Sequence, residues 1–301
     1  METIKLNDSL TLLSLKQNME GFDSFVGSWV FQGEPCVVFD VGPAASIHIL
    51  LDYLRQKNID RVDYVFPSHI HIDHAGGLAQ FLEVYPMAKV VVHDMGVRHL
   101  VDPSKLWAGA LKTLGYMAEA YGEIKPVPEE ALIPHSTCDI KGVTVLETPG
   151  HAPHHLSYVF KDHLFSGESA GVYLPHIAEN YLRPPTPPRF ILEIAVSSVE
   201  RMLDLDDLPV CFAHFGYHRS SHAILENYRK QLYFWRDVIA EEAAMGNEEG
   251  LVERCAAMLL EKDPALAAFP SLDAASKKRE MYFIENGVRG YLGYLKEKEV
   301  G

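Results

Sequence analysis

The segment SHIHIDH at residues 68–74 concentrates side chains that bind metal ions. It places His69, His71, Asp73 and His74 within six positions, directly after the apolar run VDYVF. Neutral imidazole and carboxylate groups are ligands for zinc, iron and manganese. Burying this many ionisable groups together is unfavourable unless they are paired or coordinate a cation. The segment therefore predicts a metal site in which cations compensate the buried polar groups.

The spacing of these residues allows two ions to be held side by side. Residues two positions apart point the same way in an extended chain, so His69 and His71 can hold one ion. The intervening Ile70 can then point into the core. Asp73 and His74 follow on a turn, from which they can reach a second ion.

Three more polar residues come just after apolar, strand-like runs. His151 follows GVTVLETPG, Glu168 follows DHLFSG, and His214 lies at the end of LPVCFAH. If the strands belong to one sheet system with aligned ends, these side chains converge with the 68–74 segment on one edge. The pattern indicates a single site built from distant parts of the chain.

The elements that carry these residues predict a mixed α/β fold. SWVFQGEPCVVFDVGP predicts a hairpin, and SIHILLDYLRQKN predicts a helix because its apolar residues recur at helical spacing. Residues 102–122 have apolar residues at steps of three and four, which predicts one amphipathic helix. This helix either covers the site as a lid or packs as an ordinary surface helix.

The C-terminal part of the chain has a different pattern. Three apolar stripes at helical spacing follow residue 222, which predicts a helical appendage. We therefore divide the chain into a first domain at 1–221 and an appendage at 222–301. The aromatic residues Tyr228, Trp235 and Phe283 are available there for a homodimer interface.

Composition narrows the classes of partner and compartment. The chain has 301 residues and a formal net charge of −14, with no basic run, which argues against nucleic acid and anionic membrane surfaces as partners. Its four cysteines are scattered without a CxxC pair, as expected for reduced thiols. The start, METIKLNDSLTLLSL, predicts a strand rather than a secretory signal. We expect a cytoplasmic protein that acts on a small molecule.

The motifs together resemble the metallo-β-lactamase superfamily, whose fold is an αββα four-layer sandwich. The resemblance rests on five ordered motifs: VFDVGP at 38–43, SHIHIDHAGG at 68–77, TPGH at 148–151, FSGESAG at 165–171 and AHFG at 213–216. It implies one metal held by His69, His71 and His151. It implies a second metal held by Asp73, His74 and His214, with the carboxylate of Glu168 bridging both.

Glu168 is a departure from the family pattern. The family normally places an aspartate at this position, and this chain has one additional methylene. Two zinc ions are the first expectation, but iron or manganese, or a single-metal site, stay open because the longer carboxylate changes the reach of the bridge. The β-lactamases themselves fit poorly, because they place a cysteine where Glu168 stands.

The resemblance implies metal-assisted hydrolysis of a small-molecule ester, lactone or thioester. In this chemistry two ions generate a bridging hydroxide from a water molecule. Asp73 accepts the proton of that water and transfers it to the leaving group. The alternatives are a non-haem diiron redox enzyme or oxygen sensor, and a non-catalytic protein that has lost its metals. Tyr173, His176 and Arg183 are the candidates for substrate binding, with structural or solvated roles as the alternative for each.

Overall fold

A computed structural model describes residues 2–300 of the chain, with side chains through residue 298. The strands, in chain order, are β1 (Thr3–Lys5), β2 (Leu10–Ser14), β3 (Gly27–Phe31), β4 (Val37–Phe39), β5 (Tyr64–Phe66), β6 (Lys89–Val92), β7 (Leu132–Pro134), β8 (Val143–Glu147), β9 (Leu156–Phe160), β10 (His163–Gly167), β11 (Val172–Tyr173), β12 (Leu182–Arg183), β13 (Val210–Phe212) and β14 (Tyr217–His218). The α-helices are α1 (Ile47–Gln56), α2 (Ile72–Ala75), α3 (Leu78–Val84), α4 (Asp94–Val101), α5 (Ser104–Leu114), α6 (Tyr116–Tyr121), α7 (Leu192–Leu203), α8 (Ser221–Ala243), α9 (Leu251–Lys262) and α10 (Ala274–Val300).

Two sheets form the centre of the molecule. The first contains β1 to β7 in chain order, antiparallel from β1 to β4 and parallel from β4 to β7. The second has the order β14-β13-β10-β9-β8, in which only β10 and β13 run parallel. The strands β11 and β12 form a separate antiparallel pair.

Alternation along the strands creates an apolar layer between the two sheets. In β4, the side chain of Phe39 lies in the apolar cluster between the two sheets. The side chain of Val38 lies in a second apolar cluster, which the first sheet forms with the helices. The ring of Phe39 stacks on Phe165 of the second sheet, with ring centroids 3.5 Å apart. The indole N–H of Trp29 in β3 donates to the carbonyl of Phe212 in β13 at 2.8 Å. The sheets therefore pack face to face as the inner layers of a sandwich.

Helices cover the outer faces of both sheets. Leu50 and Leu54 of α1 and Phe81 of α3 are buried in the same cluster as the outward-facing valines of the first sheet. Helices α7 and α8 pack together, and their buried residues join this cluster with Val210 of β13. The result is the expected α/β sandwich of the metallo-β-lactamase type with additional C-terminal helices.

The segment after residue 221 is helical, as its apolar stripes predict. Helices α9 and α10 pack against α8, and Ile284 and Val288 of α10 are completely buried. Their side chains belong to the same large cluster as the sandwich helices. The division at 221/222 coincides with the start of α8, and a separate domain at 222–301 stays a prediction.

The expectation of one helix over residues 102–122 was wrong. The chain forms α5 and α6, with Gly115 between them at φ +55°. This positive φ interrupts a right-handed helix and is readily adopted only by glycine. The apolar periodicity continues through the break, which is why the sequence pattern did not reveal it.

No helix within residues 2–300 combines the length and the apolar character needed to cross a lipid bilayer.

Candidate metal centre

The segment 67–74 leaves the carboxyl end of β5 and brings its side chains to the sandwich edge. His69 and His71 lie in the loop, and Asp73 and His74 lie in the short helix α2. His151, Glu168 and His214 follow β8, β10 and β13 of the second sheet. The structure brings all seven residues together in two groups, within each of which the ligand atoms lie no more than 4.8 Å apart. The groups are His69, His71, His151 and Glu168, and then Asp73, His74 and His214.

In the first group, three imidazole nitrogens face one another. The Nδ1 of His71 lies 2.8 Å from the Nε2 of His69 and 3.0 Å from the Nε2 of His151. The Nδ1–H of His151 donates to the carbonyl of Pro185 at 2.8 Å, so in the neutral ring its Nε2 carries the lone pair. The Nδ1 of His69 contacts the hydroxyl of Ser68 at 3.0 Å, so the Nε2 of His69, like that of His151, points toward His71. Several lone pairs therefore converge on a small volume, an arrangement that a cation stabilises.

The second group has the same arrangement of inner and outer nitrogens. His74 directs Nδ1 to the Asp40 carboxylate at 3.2 Å, and His214 directs Nδ1 to the carbonyl of Phe25 at 3.2 Å. The Nε2 of His74 is fully buried and has no hydrogen-bond partner within the described part of the chain. The carboxylates of Asp73 and Glu168 lie 3.3 Å and 3.5 Å from this nitrogen. A buried imidazole nitrogen without a partner beside two carboxylates fits a divalent cation.

Glu168 spans the two groups. Its Oε2 lies 2.9 Å from the Nε2 of His151 and 3.5 Å from those of His69 and His74. Its Oε1 lies 3.1 Å from the Nε2 of His214. One carboxylate thus places an oxygen toward each group, which is the geometry that a bridging ligand requires.

The electrostatics at His69 and His71 favour neutral imidazoles, whereas Glu168 outweighs burial and raises the pKa of His151. Burial lowers the pKa of His69 well below its ordinary value, and the neighbouring His74 and His71 add to this shift. Burial, followed by His151 and His154, lowers the pKa of His71 to about 3. Both rings are therefore neutral at pH 7, and neutral imidazole is the form that coordinates metals.

The second group stabilises positive charge. Burial lowers the pKa of His74, but the carboxylates of Asp73 and Asp40 together raise it well above its ordinary value. Burial raises the pKa of Glu168, but His151 and His214 together hold it well below its ordinary value. The carboxylates of Asp73 and Glu168 are ionised, and both lie close to the Nε2 of His74. This environment, which favours a positive charge, also suits a metal cation.

Two further residues support the centre, although the sequence analysis assigned them no role. Asp40 accepts hydrogen bonds from the backbone N–H of Ser68 at 2.6 Å and its hydroxyl at 3.0 Å, in addition to His74. His155 is fully buried, and its Nε2 accepts the backbone N–H of Glu168 at 3.1 Å. Asp40 lies in the motif VFDVGP, so its place in that motif was the available signal.

Gly167 brings the backbone close to the centre. Its φ is +56°, and a Cβ at this position would lie 2.4 Å from the Nε2 of His155 and 2.6 Å from Ser68. Glycine is therefore required by both the backbone conformation and the close approach.

A cavity of about 630 Å³ opens over the ligand atoms. Five of the seven predicted ligands line it: His71, Asp73, His151, Glu168 and His214. Helices α5 and α6 supply one wall, and the prolines of segment 185–188 and residues of α10 supply others. Most of these wall residues are apolar, so the cavity combines a polar floor with apolar sides.

Of the three candidate substrate-binding residues, one lines the cavity and two do not. Arg183 lines the cavity, but it is buried and its Nε donates to Glu280 at 2.6 Å. Tyr173 is buried away from the cavity, with its hydroxyl donating to the carbonyl of Glu179 at 2.7 Å. His176 packs near Phe215 and does not line the cavity either. The contact of Tyr173 and His176 with substrate therefore has no support in the cavity geometry.

A further cluster of possible ligands lies outside this centre. His135 contacts Asp94 at 2.8 Å through Nδ1 and Glu147 at 2.9 Å through Nε2, and its ring stacks on His93. The Nδ1 of His93 accepts the backbone N–H of Met95 and caps α4. A neutral His93 with this hydrogen bond carries its proton on Nε2, so the hydrogen-bond network accounts for the cluster.

Comparison with known proteins identifies the family pattern over most of the chain. The sequence model described as "Metallo-beta-lactamase superfamily" matches residues 23–214, a range that includes all seven residues of the centre. The metallo-beta-lactamase fold-containing protein of Sulfurisphaera tokodaii is 34% identical over 221 residues, which cover 70% of this chain and 80% of that protein.

Other relatives are more distant. A hydroxyacylglutathione hydrolase of Shewanella baltica is 26% identical over 144 residues, which cover 47% of this chain and 46% of that protein. The crystal structure of a metallo-beta-lactamase family protein from Thermus thermophilus superposes with a TM-score of 0.64 at 20% identity. That match covers 98% of this chain and 95% of the other. It shows that the sandwich and the C-terminal helices together have a counterpart of known structure.

Proposed function

The chain belongs to the metallo-β-lactamase superfamily and is a metallo-hydrolase, and from this premise we propose that it cleaves a small-molecule carboxylic ester, lactone or thioester. The observation that carries the proposal is the joint geometry of Glu168 and the cavity. The two ligand groups linked by Glu168 form the cavity floor, where a carbonyl group entering from solvent would meet them.

The donor set supports two divalent cations, with zinc as the first expectation. His69, His71 and His151 would hold one ion, and Asp73, His74 and His214 would hold the other, with Glu168 between them. Cations in these positions would lower the pKa of a water molecule from about 15.7 toward 7 and polarise a substrate carbonyl. Iron or manganese stays an alternative because of the longer carboxylate of Glu168.

The chain supplies groups that can move or direct a proton within the cavity. Asp73 lines the cavity, and its Oδ2 lies 3.3 Å from the Nε2 of His74. Burial raises the pKa of Asp73, but the charge of the neighbouring His74 outweighs burial and holds it below the ordinary value, so Asp73 is an ionised acceptor. We assign to Asp73 two steps: it accepts a proton from the attacking water and then transfers that proton to the leaving group.

Tyr121 of α6 is a second polar group on the cavity wall. Burial raises the pKa of its hydroxyl well above the ordinary value, and the negative charge of Asp73 adds to this effect. The hydroxyl is therefore a neutral donor at pH 7. It is suited to orient a substrate oxygen beside the proposed proton acceptor.

The distant relatives favour an acyl–thiol bond as one form of the substrate. Several of them are named hydroxyacylglutathione hydrolases, and the matched region spans from 46% to 77% of their length. The apolar cavity walls suit the acyl part of an ester, lactone or thioester. A diiron redox enzyme or oxygen sensor is the alternative, and Glu168 is the residue that favours it.

The first experiment is an assay of purified, zinc-loaded protein against ester, lactone, thioester and phosphodiester panels. We expect turnover within the first three classes, and His71→Ala should abolish it and lose metal while the protein stays folded. His48→Ala, which changes an exposed histidine of α1, is the matched control and should retain full activity.

Three outcomes would contradict the proposal. These are turnover of phosphodiesters alone, no turnover in any panel, or full turnover by His71→Ala. An iron-dependent absorption band with negligible esterase activity would favour the redox alternative.

A further inference from the structure

The outer rim of the cavity carries two positive charges that have no partner in the described part of the chain. Lys105 and Lys112 of α5 both line the cavity and are exposed. Neither forms an ion pair or a side-chain hydrogen bond with another described residue. Hydrogen bonds from Ser104 and, to a smaller extent, the charge of Lys105 lower the pKa of Asp102, but the side chains of Asp102 and Lys105 form no ion pair. These ammonium groups are therefore available to a ligand.

The two lysines lie on one face of α5. They are seven residues apart, which separates them by two helical turns, or about 10.5 Å along the axis. Gly109 lies between them at the i+4 position from Lys105 and also lines the cavity. A Cβ on Gly109 would meet no atom within 4 Å, so the helix surface at this position is open.

The charge around the cavity favours an anion at this rim. Asp73 and Glu168 are the only acidic residues among the described side chains that line it, and both belong to the metal centre. The rest of the wall is largely apolar and includes Leu106, Ala110 and Met117. In a chain with a net charge of −14, a pair of unpartnered lysines at a cavity mouth is a local exception. Local positive potential of this kind concentrates anionic ligands.

We infer that Lys105 and Lys112 bind an anionic group of the substrate, which an apolar segment separates from the scissile carbonyl over the metal ligands. This inference rests on the proposed hydrolysis, and it narrows the substrate class to anionic esters or thioesters. Carboxylate and phosphate groups share the required chemistry. Lysine ammonium groups on flexible stems can follow either of them.

Matched substrates test the inference directly. The mono-p-nitrophenyl ester of adipic acid carries a terminal carboxylate, and p-nitrophenyl hexanoate has the same chain length without it. The hexanoyl thioesters of 3-mercaptopropionate and of propanethiol make the same comparison on the leaving-group side. We expect kcat/KM to be about tenfold higher for the anionic member of at least one pair, through KM, because two exposed charge contacts contribute about this factor. The preference should disappear at roughly 1 M salt, where the screening length is about 3 Å.

The variant Lys105→Gln/Lys112→Gln identifies the residues responsible. Its kcat/KM ratio for the preferred pair should fall to about one. Lys125→Gln/Lys141→Gln is the matched control, because it removes the same net charge from exposed lysines that do not line the cavity. That control should keep the wild-type preference. Equal rates on both members of both pairs, or a preference that survives in Lys105→Gln/Lys112→Gln, would overturn the inference.

A binding measurement separates this inference from the hydrolysis on which it rests. Calorimetry with hexanoate and with dicarboxylates from adipate to sebacate requires no turnover. Tighter binding of one dicarboxylate to the zinc-loaded wild type, lost in Lys105→Gln/Lys112→Gln, supports the lysine pair even if neither ester is cleaved. Hydrolysis of esters without any preference for an anion leaves the proposed function intact and rejects the lysine pair.

Discussion

Four of the five histidines at the metal centre use Nδ1 to contact the surrounding protein and direct Nε2 toward the ligand groups: His69, His74, His151 and His214. Asp40 shows how this division is maintained, because its carboxylate holds both Ser68 and the Nδ1 of His74. Its φ of +53° is uncommon for a residue other than glycine. The strained backbone at Asp40 therefore occurs at a residue whose carboxylate orients His74, a proposed metal ligand.

The first prediction concerns this carboxylate. Asp40→Asn preserves the shape, and asparagine tolerates the positive φ, so the variant should fold. Loss of the charge should weaken metal affinity by about 10- to 100-fold, because a partner that orients a ligand contributes about this much. A chelator competition titration measures the change.

The matched control is Asp63→Asn, which changes a carboxylate that accepts the backbone N–H of Cys36 outside the centre. Its metal affinity should equal that of the wild type. Unchanged affinity in Asp40→Asn would show that the His74 contact does not support the site.

At the scale of elements, α10 is fixed to the sandwich through buried charge. Glu280 is completely buried, and it accepts Arg183 of β12 at 2.6 Å and Arg279 at 2.8 Å. The guanidinium of Arg183 also stacks on Phe283, which lines the cavity. These contacts give Arg183 a role in holding the cavity wall in place.

The substitution Glu280→Gln tests the contribution of this buried charge cluster to stability. Glu280→Gln leaves two buried guanidinium groups without a countercharge, and the free energy of unfolding should fall by about 3–5 kcal/mol. Glu285→Gln, which removes a partly exposed partner of Arg289, is the control and should cost about 0–1 kcal/mol. Urea denaturation measures both values, and equal losses in the two variants would contradict this role for Glu280.

The sequence allowed the elements near the centre to be predicted better than the long-range contacts. The 68–74 segment is contiguous, and the remaining ligands each follow a strand, so local pattern was sufficient to place them. The pair of Arg183 and Glu280 joins residues 97 positions apart, and no local pattern links them. The break at Gly115 was also missed, because a glycine within an apolar helical period does not show whether the helix continues.

At the scale of the whole molecule, the centre joins the two sheets. His69 to His74 follow β5 of the first sheet, whereas His151, Glu168 and His214 follow strands of the second. Bound cations would therefore link both halves of the sandwich. A homodimer stays a prediction, but Tyr228 and Trp235 are buried within the chain and do not supply its interface.

The metal content of the purified chain tests the central claim most directly. Elemental analysis of wild-type protein prepared without added metal, and again after incubation with zinc, should approach two divalent ions per chain. The variant Asp73→Ala/His214→Ala removes two proposed ligands of one ion and should retain one. A folded wild-type chain that binds no zinc, iron or manganese, or equal metal content in the variant, would contradict the account.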